Sequence, residues 1–333
     1  MMLDRRRMLA GAGGMALAAA AAPGQARAQP AAQPAAPWPD RPIRLLVGFP
    51  AGGPTDFAAR LLQEPLQQLW GQPLVVENRP GASQMIAAEA VAKAPPDGHT
   101  LLLCTSNLTT NPAVFSRLPY DTIRDFTPIV VIYSSPTVLF TGPEQPFRTV
   151  QDVVAAAKRQ PGLAAATSGV ATAGHFATEM FMRAAGVELT HVPYRGAIPA
   201  VQDVIGGRVP ITFSTLSGVI GLARDGKLRP LAIAAPRRSR AFPDVPTMEE
   251  AGIPVRDTSP WYSFVAPAGL PAAILDRIAG DVLGLLKRPD IIARIEDSGG
   301  VVEAEGPAEF RARIPREIAV NTEVARLSNI HIE

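Results

Sequence analysis

Two short loops hold most of the residues that could do chemistry on a ligand. The first is Phe49-Pro-Ala51-Gly52-Gly53-Pro-Thr55-Asp56. Gly52 and Gly53 accept backbone angles closed to a residue with a Cβ, so the chain can turn tightly there and bare its N–H groups. Thr55 and Asp56 are good N-cap residues for a helix through Phe57, Leu61, Leu62, Leu66 and Leu69. A helix N-terminus carries partial positive charge, so this corner suits a carboxylate or a phosphate. The second loop is Thr167-Ser-Gly-Val-Ala-Thr172-Ala173-Gly-His175. Thr167, Ser168 and Thr172 bring hydroxyls, and Ala173 and His175 fall at the next helix start. A third polar tip is Thr105-Ser106-Asn107, at the end of an apolar run. Two helix N-termini aimed across a cleft would hold a small dianion.

Other chemistries lack their residues. No Gly-Lys-Ser/Thr follows the first loop, and the G-x-G-x-x-G spacing is absent, which removes the P-loop and the dinucleotide fingerprint. There is no Gly-x-Ser-x-Gly elbow. The four histidines, His99, His175, His191 and His331, show no paired metal spacing. We therefore expect no enzyme, no cofactor and no metal. His175, which follows the second glycine loop, is a candidate ligand contact or base, weighed against a helix-start residue bonding loop carbonyls. Cys104, the single cysteine, excludes disulfides within the chain and reads as a small core residue.

The elements that must position these loops alternate. Ile43 to Phe49 and Thr100 to Thr105 are nearly continuous apolar runs, the mark of strands buried on both faces. Leu74–Glu77 is a short strand, and Ser83 to Lys93 an Ala-rich helix capped by Ser83 and stopped at Pro95. Pro128 to Phe140 is one long run broken at Pro136, which suits a strand leaving one sheet for another. A second set follows. Helices begin at Thr149, Gly174 and Ala197. Strands are read at Leu163–Thr167, Glu188–Val192, Val209–Phe213 and Leu231–Ala235. After a strand at Trp261–Val265 the remainder reads as helical. Regular β-α-β alternation implies parallel sheets covered by helices. The expected fold is α/β, with two doubly wound lobes joined by two crossover strands. Residues 38–136 with 259–333 would form one lobe and 137–258 the other. Ligands of such folds bind at the carboxyl ends of strands.

Residues 1–28 read as an export signal: Arg5-Arg-Arg-Met-Leu9, an apolar Ala/Gly run, then Ala26-Arg-Ala28. The paired arginines suggest the twin-arginine route. Residues 29–37 are a Pro/Ala/Gln tether. The net charge of +2 misleads, because the signal holds four Arg and one Asp, leaving −1 for the mature chain. That chain has no basic patch for nucleic acid. Hydrophobic content of 47% indicates a filled globular core rather than disorder.

Several motifs occur together in one family: Phe49-x-Ala-Gly-Gly-x-x-Asp56, Val76-Glu-Asn-Arg-Pro-Gly-Ala82, Pro96-Asp-Gly-x-Thr-Leu-Leu-Leu103, Leu118-Pro-Tyr-Asp121, His191-Val-Pro-Tyr194-Arg-Gly196, Gly226-Lys-Leu-Arg229, Phe242-Pro-Asp-Val-Pro-Thr247 and Ala266-Pro-Ala-Gly269. From about Trp38 to the end, the chain resembles the Bug family, the extracytoplasmic receptors of tripartite tricarboxylate transporters. The resemblance implies a type II-like periplasmic binding protein that is monomeric and grips a small carboxylate between the two loops. The grip would use N–H groups, hydroxyls and waters rather than an arginine clamp. It also implies a two-subunit membrane permease as partner. The alternatives are a sensor role, with the closed receptor binding a signalling kinase, and, against the side chains, a hydrolase. This sequence departs from the family at Pro54 and Ala171, where glycine is usual. Pro65 should kink or end the first helix. Ser214 stands where many relatives carry aspartate. A neutral hydroxyl facing the ligand would leave the cleft less negative and favour a carboxylate without an α-amino group; the rival reading is that Ser214 lies off the ligand and packs beneath the loop.

Overall fold

A computed structural model describes residues 38–328 and 330. The export signal, the tether, the cleavage site and His331 lie outside the described residues. Among the described residues no helix is long and apolar enough to cross a membrane.

Elements alternate from the start: β1 Ile43–Val47, α1 Pro54–Trp70, β2 Leu74–Asn78, α2 Met85–Ala92, β3 Thr100–Thr105, α3 Asn107–Val114 and β4 Phe126–Ser134. The chain then crosses over at Ser135-Pro136 into β5 Thr137–Thr141, α4 Val150–Arg159, β6 Leu163–Thr167, α5 Ala173–Ala185, β7 Leu189–Pro193, α6 Ala197–Ile205, β8 Ile211–Thr215, α7 Ile220–Arg224 and β9 Arg229–Ala234. It returns with β10 Trp261–Pro267, α8 Ala272–Leu285, α9 Pro289–Asp297, β11 Val301–Glu305 and α10 Pro307–Leu327.

Two sheets result, in the orders β11-β4-β10-β3-β1-β2 and β7-β6-β8-β5-β9. They form the cores of two lobes. The first sheet has apolar layers on both faces: Leu45, Leu101, Leu103 and Phe264 under α1 and α8, and Leu46, Leu102, Cys104 and Val265 under α2 and α10. That double burial is why its strands read as unbroken apolar runs. Pairing is parallel among β1, β2 and β3, and among β6, β7 and β8. The elements entering by crossover break the pattern. β10 runs antiparallel to β3 and β4, and β5 runs antiparallel to β8 and β9.

Several local expectations need correction. Gly53, not Thr55 or Asp56, is the N-cap of α1, and Pro54 takes the first helical position, where its missing N–H costs nothing. Of the two outcomes expected at Pro65, an end to the helix is not seen: α1 continues through it to Trp70. Ser83 does not cap α2. It lies at φ +50 in a left-handed run with Ala82 and Gln84, and α2 starts only at Met85. β8 and the start of β9 are displaced by two residues from the sequence reading. The tail is not all helical, since β11 pairs with β4 at the edge of the first sheet. Thr149 caps α4 as expected, in a capping box with Asp152.

Candidate functional site

The carboxyl ends of the parallel strands meet across a cleft between the lobes. The narrow cavity there, about 40 Å³, is lined from the first lobe by Phe49, Gly53, Thr55, Thr105, Asn107 and Tyr262, with Pro50, Pro54 and Pro260. The second lobe supplies Ser168, Thr172, Ala173, Ala197, Ile198 and Thr215. None of these side chains is charged.

What faces the cavity is backbone at helix starts. Gly53, Pro54 and Thr55 are the cap and first turn of α1, Asn107 opens α3, Thr172 and Ala173 open α5, and Ala197 and Ile198 open α6. In none of the four does the N-cap side chain accept from the first turn, although in α3 the Asn107 N–H donates to Thr105 Oγ1 at 3.2 Å. First-turn N–H groups without an intrahelical partner are donors, and the helix dipole adds partial positive charge. The wall therefore offers N–H donors and helix dipoles rather than cationic side chains.

Each loop is braced from behind. Asp56 is turned to its own loop: Oδ2 accepts from Gly52 N–H at 3.1 Å, and Oδ1 accepts from Asn78 at 3.1 Å. Asn78 also donates to the Phe49 carbonyl at 3.0 Å. Gly52, at φ +81, makes the turn that these bonds close. In the second lobe Thr172 donates to the Gly169 carbonyl at 2.7 Å. Thr167 bonds Gly169 and lies 2.6 Å from His191 Nε2. Ala171 sits at φ +57, a left-handed angle that costs a residue with a Cβ about 1 kcal/mol. It is held there by its N–H, which donates to His175 Nδ1 at 3.2 Å. His175 thus accepts from a loop N–H instead of bonding loop carbonyls. Its ring stacks on that of His191, centroids 4.0 Å apart and 10° from parallel. Burial, and then the neighbouring His175, pushes the His191 imidazole down to about 3.

The lobes touch across the cleft. Ser83 donates to the Val170 carbonyl at 2.6 Å. The Ala171 carbonyl accepts from Thr110 at 2.7 Å and from Asn107 at 3.3 Å.

Of the residues singled out by sequence, Phe49, Gly53, Thr55, Asn107, Thr172 and Ala173 come together on the cavity wall. Gly52, Asp56, Thr167 and His175 stand behind it as braces, and Ala51 is an exposed residue of the first loop. Ser106 lines a neighbouring cavity of about 270 Å³ with Ala173 and Trp261. Tyr194 lines another, about 350 Å³, that shares Phe49 and Ser168 with the cleft, and its hydroxyl donates to Asp203 at 2.6 Å. Ser214 stands one residue short of the wall. It is 5% exposed with no hydrogen-bond partner for its hydroxyl, and Thr215 is the β8 residue that reaches the cleft. The sequence reading missed the α6 start, Thr215 and Tyr262. The α6 start carried a signal, because Gly196-Ala197 follows the β6–α5 loop as the second strand-to-helix loop on that edge of the second sheet.

Comparison with known proteins places the chain. The family model described as tripartite tricarboxylate transporter family receptor matches residues 58–308. The protein belongs to this receptor family. Its members are substrate-binding receptors, not enzymes, and they are periplasmic. BugT of Bordetella pertussis is 35% identical over 284 residues, 84% of this chain and 87% of BugT. Two solved structures are close in fold. R. palustris Rpa4515 with adipate is 34% identical at TM-score 0.86, covering 89% of this chain and 100% of that one. MatC from Rhodopseudomonas palustris with bound malate is 30% identical at TM-score 0.82, covering 86% and 99%.

Proposed function

We propose that this receptor captures a small carboxylate without an α-amino group, closes its two lobes on it, and delivers it to a two-subunit membrane permease. The observation that carries the reading is the convergence of four helix N-termini, α1, α3, α5 and α6, on one cavity with no charged side chain in its wall. Such a wall stabilises negative charge through N–H donors and dipoles. It offers no carboxylate to an ammonium, so burying an amino acid there would leave a cation unpaired. The apolar surfaces of Phe49, Ile198 and Tyr262 suit a short aliphatic spine. The adipate and malate bound by the two solved relatives have this chemistry.

A thermal-shift panel of dicarboxylates and their amino analogues on the mature protein tests the reading. A ligand at about 100 times its Kd adds about 2.7 kcal/mol. Adipate or malate should raise the Tm while aspartate and glutamate leave it in place. A panel in which only the amino acids stabilise the protein, or in which nothing does, overturns the assignment.

A further inference from the structure

The second loop is held at one residue from both sides. The Ala171 carbonyl takes two donors from the opposite lobe, and its N–H donates to His175 Nδ1. That last bond exists only while Nδ1 keeps its lone pair. The other nitrogen, His175 Nε2, lies 3.5 Å from Glu179 Oε1, so it carries the ring proton and an incoming proton must land on Nδ1. The ring cannot tilt away freely, because it is buried and stacked on His191. His191 itself braces Thr167 at the loop's other end.

The groups facing the pair come from several elements. Glu179 is on α5 with His175, and Thr167 of β6 is neutral. α5 packs on β8 where Gly174 meets the Phe213 backbone. Arg183 of α5 is engaged with the Leu327 carbonyl at the end of α10. Across the neighbouring cavity stand Arg256, Asp257, Arg313 and Glu317. Among the described residues only Glu179 lies within ion-pair distance of either ring.

We propose that the stacked His175–His191 pair is a positioning device for the ligand loop, and that one proton on His175 Nδ1 releases the loop and weakens ligand binding. The proposal rests on the receptor reading above. The sign follows from geometry. A protonated Nδ1 turns an N–H toward the Ala171 N–H, so two donors face each other and the bond that holds the loop is lost. By linkage, acid then favours release. His191, held neutral by its burial, stays a fixed platform for the His175 ring.

Two measurements test this. First, binding of the dicarboxylate that gives the largest thermal shift is measured by calorimetry at about pH 7.5 and about pH 5, the span in which histidine ordinarily changes charge. His175→Asn keeps an acceptor near the Nδ1 position but cannot take up a proton. Wild-type affinity should fall about tenfold further than that of the variant on acidification, an ordinary size for coupling between sites. Comparing the two proteins cancels the ligand's own titration. Second, the Ala171 amide is followed by 1H–15N NMR in the wild type without ligand. It should move with a single titration in that span. This readout needs no carboxylate, so its failure is separable from failure of the ligand assignment, and it stands even where His175→Asn does not fold. Parallel losses of affinity in the two proteins, or an Ala171 amide that does not titrate, overturn the proposal.

Discussion

Ser214 illustrates how far a single residue can be read. Its place in Ile211-Thr-Phe-Ser-Thr215 suggests a group facing the ligand, but strand alternation decides otherwise. Neighbouring β residues point to opposite faces. Thr215 reaches the cleft, and Ser214 pairs with Val138, a residue of the layer beneath α6. A buried hydroxyl without a partner contributes nothing to stability. Ser214→Ala should therefore keep the Tm, or raise it, and leave affinity within about twofold, since nothing polar is lost. Ser214→Asp should destabilise by more than about 2 kcal/mol, because a carboxylate there is desolvated and unpaired. Denaturant unfolding and calorimetry on both variants check this. A stable Ser214→Asp protein with an altered preference between a dicarboxylate and its amino analogue would return Ser214 to the site.

At the scale of elements, the site is a set of helix starts. Gly53 shows what each start contributes. Its backbone is extended, at φ −83, and a Cβ would meet nothing closer than the Pro50 carbonyl at 3.6 Å. Gly53→Val should therefore fold normally while its methyl groups fill the narrow cavity and cover the α1 N–H groups. Affinity should fall at least tenfold, about 1.4 kcal/mol, with the Tm without ligand unchanged. Calorimetry showing native affinity would remove the α1 start from the grip. Much of this arrangement was legible. The α1 and α5 loops announce themselves through glycines, hydroxyls and the apolar strands before them. α3 was not legible as a helix, since Asn107-Leu-Thr-Thr-Asn-Pro112 has poor helix formers and an internal proline. β11 was missed because Val301-Val-Glu-Ala-Glu305 is short, half acidic and broken by a left-handed Ala304. Ser83 looked like a cap from its place before an Ala-rich helix. Its actual role, a bond to the other lobe, depends on a fold no local pattern encodes.

At the scale of the whole molecule, the proposed closure requires the two lobes to move about the connections near Ser135 and Pro260. These are tied to each other: Ser135 N–H donates to the Pro260 carbonyl at 3.1 Å, and Thr137 donates to the Thr258 carbonyl at 3.0 Å. Besides the side-chain bonds of Ser83, Asn107 and Thr110, a glycine lets the lobes come close. Gly218, which follows β8, lies so near the start of α1 that a Cβ would stand 2.9 Å from Pro54 N and closer still to its ring. Proline cannot move aside as a flexible side chain would, because its ring is fixed to the backbone. Gly218 itself has no left-handed angle to protect, so alanine there meets no local strain. Gly218→Ala should then fold as the wild type does but fail to close. We expect affinity for the preferred carboxylate to drop at least tenfold, about 1.4 kcal/mol. Small-angle scattering should show the wild type contracting with saturating ligand while the variant keeps its larger radius. Gly221→Ala is the control, because nothing lies within 4 Å of its added Cβ, and it should behave as wild type in both measurements. If Gly218→Ala contracts and binds normally, the close approach of Gly218 to Pro54 is no requirement for closure.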